Sequence, residues 1–141
     1  MTSFMEQLSP SWKPDSEGFK PVARYYPAMD HILYLKEDCA YRADRVDEWL
    51  TLLWHPYKWE LVGIKLKGIR VIFRDFLNDS GDVFPIAEIL VAILNSGGAT
   101  QIMKANEDSR RAKVRQKYTL AIQFAANENA AFSSDELRRA A

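Results

Sequence analysis

At Gly68 the hydrophobic period of the chain changes. Before it, in ELVGIKLK (60–67), Val62, Ile64 and Leu66 alternate with Gly63, Lys65 and Lys67. A period of two marks a half-buried strand, with one row of side chains in a core and the other in water. After it, Ile69, Ile72, Phe73, Phe76 and Leu77 fall at i, i+3, i+4, i+7 and i+8, the stripe of an amphipathic helix. Strand patterns precede this switch and helix patterns follow it. That order implies an α+β fold rather than an alternating α/β one.

On the strand side, HILYLK (31–36) and WLTLLW (49–54) join 60–67 in an N-terminal antiparallel β-meander of about three strands. EDCAYRADRVDE (37–48) reads as a charged connection with room for a helical turn. Residues 1–27 hold Pro10, Pro14, Pro21 and Pro27, which remove amide donors and restrict their neighbours. An extended arm is expected there, pinned to the body or to a second subunit by Phe4, Trp12, Phe19, Tyr25 and Tyr26.

On the helix side, NDSGD (78–82) is a turn and Pro85 suits the first turn of a second helix. Ile86, Ile89, Leu90, Ile93 and Leu94 line that helix, and Gly97 suits its C-cap. A longer helix is expected over 99–127. Ile102 and Met103 at one end and Val114, Tyr118, Ala121, Ile122 and Ala125 at the other are apolar, while KANEDSRRAK between them bridges solvent. Ser133 and Glu136 have capping-box spacing before a last helical turn. Three to four helices packed on the meander make one domain over 1–141, with arm 1–27, meander 28–68 and helical part 69–141.

The segment between the two central strands, HPYKW (55–59), reads first as a hairpin turn, with Pro56 presetting φ. Setting Leu50, Leu52 and Trp54 against Val62, Ile64 and Leu66 on one face needs an odd-numbered loop. A three-residue loop wants a glycine that is absent, so a loop of about five residues or a bulge is expected. A one-residue slip would instead bury Trp49 and Leu53 on that face. Tyr57 and Trp59 are unusual in a turn. Packing against the protein's own arm or helices is the leading expectation. The next is a subunit or partner contact, which makes Trp54, His55, Tyr57 and Trp59 a candidate interaction surface. A catalytic or metal-binding role for His55 ranks third, because no partner for it is evident.

From RYYPAMDHILYLK to LTLLWHPYKWELVGIKL the chain resembles the 2283 family of bacterial domains of unknown function. Tyr25, Pro27, Asp30, Leu33 and Tyr34 match its Tyr-Asp-Pro-like start and Leu-Tyr strand, with one extra residue after Asp30. Leu61, Val62, Gly63 and Ile64 match its hairpin end. The turn 56–59 departs from the family's Asp- and Gly-rich turn, and Lys65 stands where an acid is common. The resemblance covers about 24–68, and it implies a small antiparallel meander and no activity.

Motifs for chemistry are few. One cysteine, Cys39, excludes an internal disulfide and a Cys-rich metal site. With no basic and apolar leader and no membrane-length apolar run, a cytoplasmic protein of bacterial style is expected. Cys39 could pair with His31 or His55 as thiol and imidazole, but a small buried or inert thiol is the expected role. Asp38, Asp44, Asp47 and Glu48 interleave with Arg42 and Arg45 and read as a solvated ion-pair surface. There is no Walker loop and no dinucleotide fingerprint, and NSGGAT (95–100) reads as a helix–helix turn. No cofactor, metal site or catalytic residue is assigned. RRAKVRQK (110–117) offers Arg110, Arg111, Lys113, Arg115 and Lys117 as candidate phosphate contacts, but these charges wrap the helix. The 19 basic and 19 acidic residues cancel, so the net field attracts neither nucleic acid nor membrane, though a local patch could. The expected function is a non-enzymatic interaction or regulatory domain whose partner is a second copy, as a homodimer. A nucleic-acid regulator using 110–117 comes second and a small-molecule enzyme third.

Overall fold

A computed structural model describes residues 19–75, 77, 82–96 and 108–140. Most of the proline-rich arm, residues 78–81 of the NDSGD turn, Phe76, the glycine-rich stretch from Gly97 and the expected helical residues 99–107 lie outside them. The fold is α+β, as the switch at Gly68 implies. Strands β1 (Arg24–Tyr26), β2 (His31–Leu35), β3 (Arg42–Arg45), β4 (Leu50–Trp54) and β5 (Leu61–Lys67) form one antiparallel sheet in the order β1-β2-β5-β4-β3. Helices α1 (Ile69–Asp75), α2 (Ile86–Asn95), α3 (Asp108–Asn127) and α4 (Ser134–Ala140) follow it. A small second sheet pairs β6 (Val83–Pro85) with β7 (Ala131–Ser133).

The two strands beyond the expected three are the edges. β1 lies within the expected arm, and β3 replaces the helical turn expected in 37–48. RADR carries no large apolar residue, so it shows no period of two. It is held by its ladder to β4, Arg42 opposite Trp54 and Arg45 opposite Thr51. Pro85 ends β6 just before α2 rather than entering its first turn, and the Ile86 N–H goes to the Ala130 carbonyl at 2.8 Å.

Alternation sorts the sheet into two faces. Tyr25, Ile32, Tyr34, Ile64, Leu66, Leu50 and Leu52 point inward and are buried. Against them lie Ile69, Ile72 and Phe73 of α1, Ile86, Ile89, Leu90 and Ile93 of α2, and Val114, Tyr118, Ala121 and Ala125 of α3. Each of the buried Val, Leu, Ile and Phe side chains contributes about 1.5–3 kcal/mol through burial. Phe132 of β7 closes one end of this core against Phe73, with ring centroids 5.6 Å apart.

The register resolves the hairpin. Leu50 opposes Leu66 and Leu52 opposes Ile64, but the pairing shifts between Leu53 and Trp54, so that Leu53 opposes Gly63 and Trp54 opposes Leu61. This is the bulge that the odd count required. Gly63 sits where the backbone is tight: a Cβ there would run into the Tyr34 carbonyl oxygen and come within 2.8 Å of Leu35. At the other end Asp30, at φ 53°, receives the Gly68 and Ile69 N–H groups on its carbonyl at 3.0 and 3.3 Å. Its carboxylate takes the Tyr25 hydroxyl at 2.6 Å.

Candidate interaction surface

The tip of the β4–β5 hairpin is built from its base outward. The His55 N–H donates to the Glu60 carbonyl at 2.8 Å, closing residues 56–59 into a loop. His55 Nδ1 accepts the Tyr57 N–H at 3.1 Å, so this histidine shapes the turn. Lys36 at the end of β2 reaches Glu60 at 2.6 Å. That contact raises the lysine and lowers the carboxyl from their ordinary values.

On this base stand the aromatic rings. Trp59 meets Trp54 edge to face at 6.4 Å between centroids, and the Arg42 guanidinium carbon lies 5.1 Å from the centroid of a Trp59 ring. Such cation–π contacts contribute about 0.5–1 kcal/mol at exposed sites. The Trp54 indole N–H points to Asp44 at 3.4 Å. Tyr57 and Trp59 nevertheless remain 93% and 87% exposed. Among the described residues neither the end of the arm nor a helix covers them, so the expected packing is not met there. Trp54 and His55 are half-buried beside them. Arg42 was missed as a member of this surface. Only the β3–β4 register places it there, and the sequence carried no strand signal for β3.

The other candidates are dispersed. Val114 and Tyr118 turn one side of α3 inward, and Lys117 is held to Asp44 at 3.0 and 3.2 Å. Arg110, Lys113 and Arg115 are exposed, and Arg111 is half-buried. The five cations of 110–117 therefore make no single surface. Asp44 and Asp47 likewise depart from the expected solvated ion-pair surface. They reach α3, Asp44 through Lys117 and Asp47 through the Tyr118 hydroxyl at 2.8 Å.

His31 and His55 lie at opposite ends of the sheet, about 20 Å apart along β5 at ~3.3 Å per residue. Burial, with Glu37 and Asp38 nearby, pushes the Cys39 thiol up, away from the reactive thiolate. No hydrogen bond joins Cys39 to either histidine among the described residues. No group of three or more metal-ligating side chains comes together among them.

One groove of about 470 Å³ runs between β2 and the turn after α3, lined by Tyr34, Asn127, Glu128 and Asn129 among others. The Tyr34 hydroxyl donates to Glu128 at 3.0 Å, and burial, followed by that contact, raises it well above its ordinary value. It holds none of the residues weighed for catalysis. Among the described residues no helix is long and apolar enough to cross a membrane. Comparison with protein-family profiles, with curated proteins and with solved structures gave no match in any of the three.

Proposed function

We propose that the chain is a non-enzymatic protein-interaction domain that self-associates as a homodimer through the β4–β5 hairpin tip. One observation carries this reading: two large rings, Tyr57 and Trp59, stand almost fully in water on a hairpin braced at its base. Aromatic anchors with an arginine beside them carry much of the energy of protein interfaces. A second copy suits this surface because a two-fold contact brings the same patch onto itself. Arg42 would then cover a ring of the partner as it covers Trp59.

A reducing, cytoplasmic setting fits the single cysteine.

Sedimentation velocity of the wild type and of Trp59→Ser tests the reading. The wild type is expected to sediment as a dimer, and the variant to dissociate at least about tenfold more readily with an unchanged melting profile. Equal association of the two would remove the hairpin from the interface.

A further inference from the structure

We propose that the groove between β2 and the turn after α3 binds a small aliphatic amine or guanidine, with Glu128 as its counter-ion. The helix makes this an odd position for an acid. α3 runs 20 residues to Asn127 with no basic side chain in its last turn, and Glu128 follows directly. A helix gathers partial negative charge at that end, where cations are favoured and carboxylates are not. Among the described residues no cation is paired with Glu128. Lys36 is within electrostatic reach, but its ammonium bonds Glu60 at 2.6 Å. The carboxylate is held instead by a neutral group, the Tyr34 hydroxyl at 3.0 Å, from a side chain only 2% exposed. A negative charge fixed against a helix end breaks a local rule of charge placement, and such departures collect at functional positions.

The groove supplies the room. Asn129, at φ 52°, turns the chain out of the helix, and its N–H returns to the Ala126 carbonyl at 3.2 Å. The turn leaves about 470 Å³ open, within the range of small-molecule sites. Pro21, Val22 and Ala131 give the walls hydrocarbon, and Asn127 and Asn129 add neutral polar groups. An ammonium or guanidinium on a short alkyl stem matches this lining, with its charge at Glu128 and its stem on the apolar wall. Tyr34 holds Oε1 of the carboxylate, which leaves Oε2 to accept the ligand's N–H. A bare divalent metal ion fits less well, because no group of three or more metal-ligating side chains gathers among the described residues. None of the hairpin-tip residues lines the groove, so this reading and the dimer stand independently.

The test is isothermal titration calorimetry of the full chain with agmatine and with n-butylamine, at constant ionic strength. Saturable binding at a single site is expected for at least one of them, with Kd near or below about 1 mM, a value within reach of so few atoms. Affinity of this order is lost on dilution, so the purified chain carries no added mass. Glu128→Gln keeps an acceptor for the Tyr34 hydroxyl and removes only the charge, and it is expected to weaken binding at least about tenfold. Asn127→Lys, at an exposed position, places a cation in the last helical turn and is expected to displace the ligand to a similar extent. Trp59→Ser is expected to bind as the wild type does. Thermal unfolding checks that each variant is folded, and Asn127→Lys decides alone if Glu128→Gln is not. Three results would overturn the proposal: no saturable heat with either amine well above that concentration, wild-type affinity in the folded Glu128→Gln or Asn127→Lys, or the same response to magnesium chloride.

Discussion

The Tyr118 hydroxyl donates to Asp47 Oδ2 at 2.8 Å, while Asp47 Oδ1 accepts the N–H groups of Trp49 and Leu50 at 2.9 and 2.8 Å. One carboxylate thus joins α3 to the turn entering β4. Burial, then the charge and hydrogen bond of Asp47, raise the tyrosine far above its ordinary range. Tyr118→Phe leaves a carboxylate oxygen without its donor and is expected to cost about 1–3 kcal/mol. Urea unfolding should show a lower midpoint at constant slope. A wild-type midpoint would mean that this contact does not hold the helix.

Gly68 joins the sheet to the helices at φ 70°, and a Cβ there would come within 2.6 Å of the Trp49 ring. Gly68→Ala combines a left-handed backbone with that collision. A loss of more than about 1 kcal/mol is expected. Thermal unfolding checks it, and a neutral result would place the Trp49 ring elsewhere.

Tyr25 is pushed up from 10.0 to about 12, chiefly by burial and then by its hydrogen bond to Asp30. Its neutral form is favoured in the folded state. That contribution is complete below pH 10.0 and is lost as pH rises toward about 12. Tyr34 and Tyr118 shift in the same direction. Absorbance titration of the phenolates should therefore show a late class of tyrosines whose ionisation accompanies unfolding. Tyr25→Phe should make the part of that alkaline loss between pH 10.0 and about 12 shallower; an unchanged profile would contradict this.

His31 is held below its ordinary 6.5, first by burial, then by Lys65 and Lys67, against a smaller opposing pull from Asp30. Its folded-state pKa is depressed, so it contributes stability above pH 6.5 that is lost as pH falls through the folded value. Histidine proton NMR should place its midpoint below 6.5. Lys65→Gln with Lys67→Gln should move that midpoint upward without restoring it fully, because burial remains. No movement would show that the lysines do not face the imidazole.

The central elements were legible because they repeat. β4 is a short apolar run, β5 alternates, α1 and α2 carry stripes, and α3 buries Val114, Tyr118, Ala121 and Ala125 at helical spacing. Edge strands β1 and β3 were not legible. Arg24-Tyr25-Tyr26 is too short to establish a period, and Arg42–Arg45 buries no side chain of its own. β6 and β7 are shorter than any period can register. The aromatics of the hairpin tip could be read, but not their exposure, because exposure depends on what fails to cover them.

The most direct test of the interaction reading is the native mass of the untagged chain by non-denaturing mass spectrometry, beside that of Trp59→Ser. A wild-type dimer without added mass and a variant shifted to monomer are expected. A wild-type monomer carrying a bound small molecule, nucleotide or metal would contradict the account and direct attention to the Tyr34–Glu128 groove.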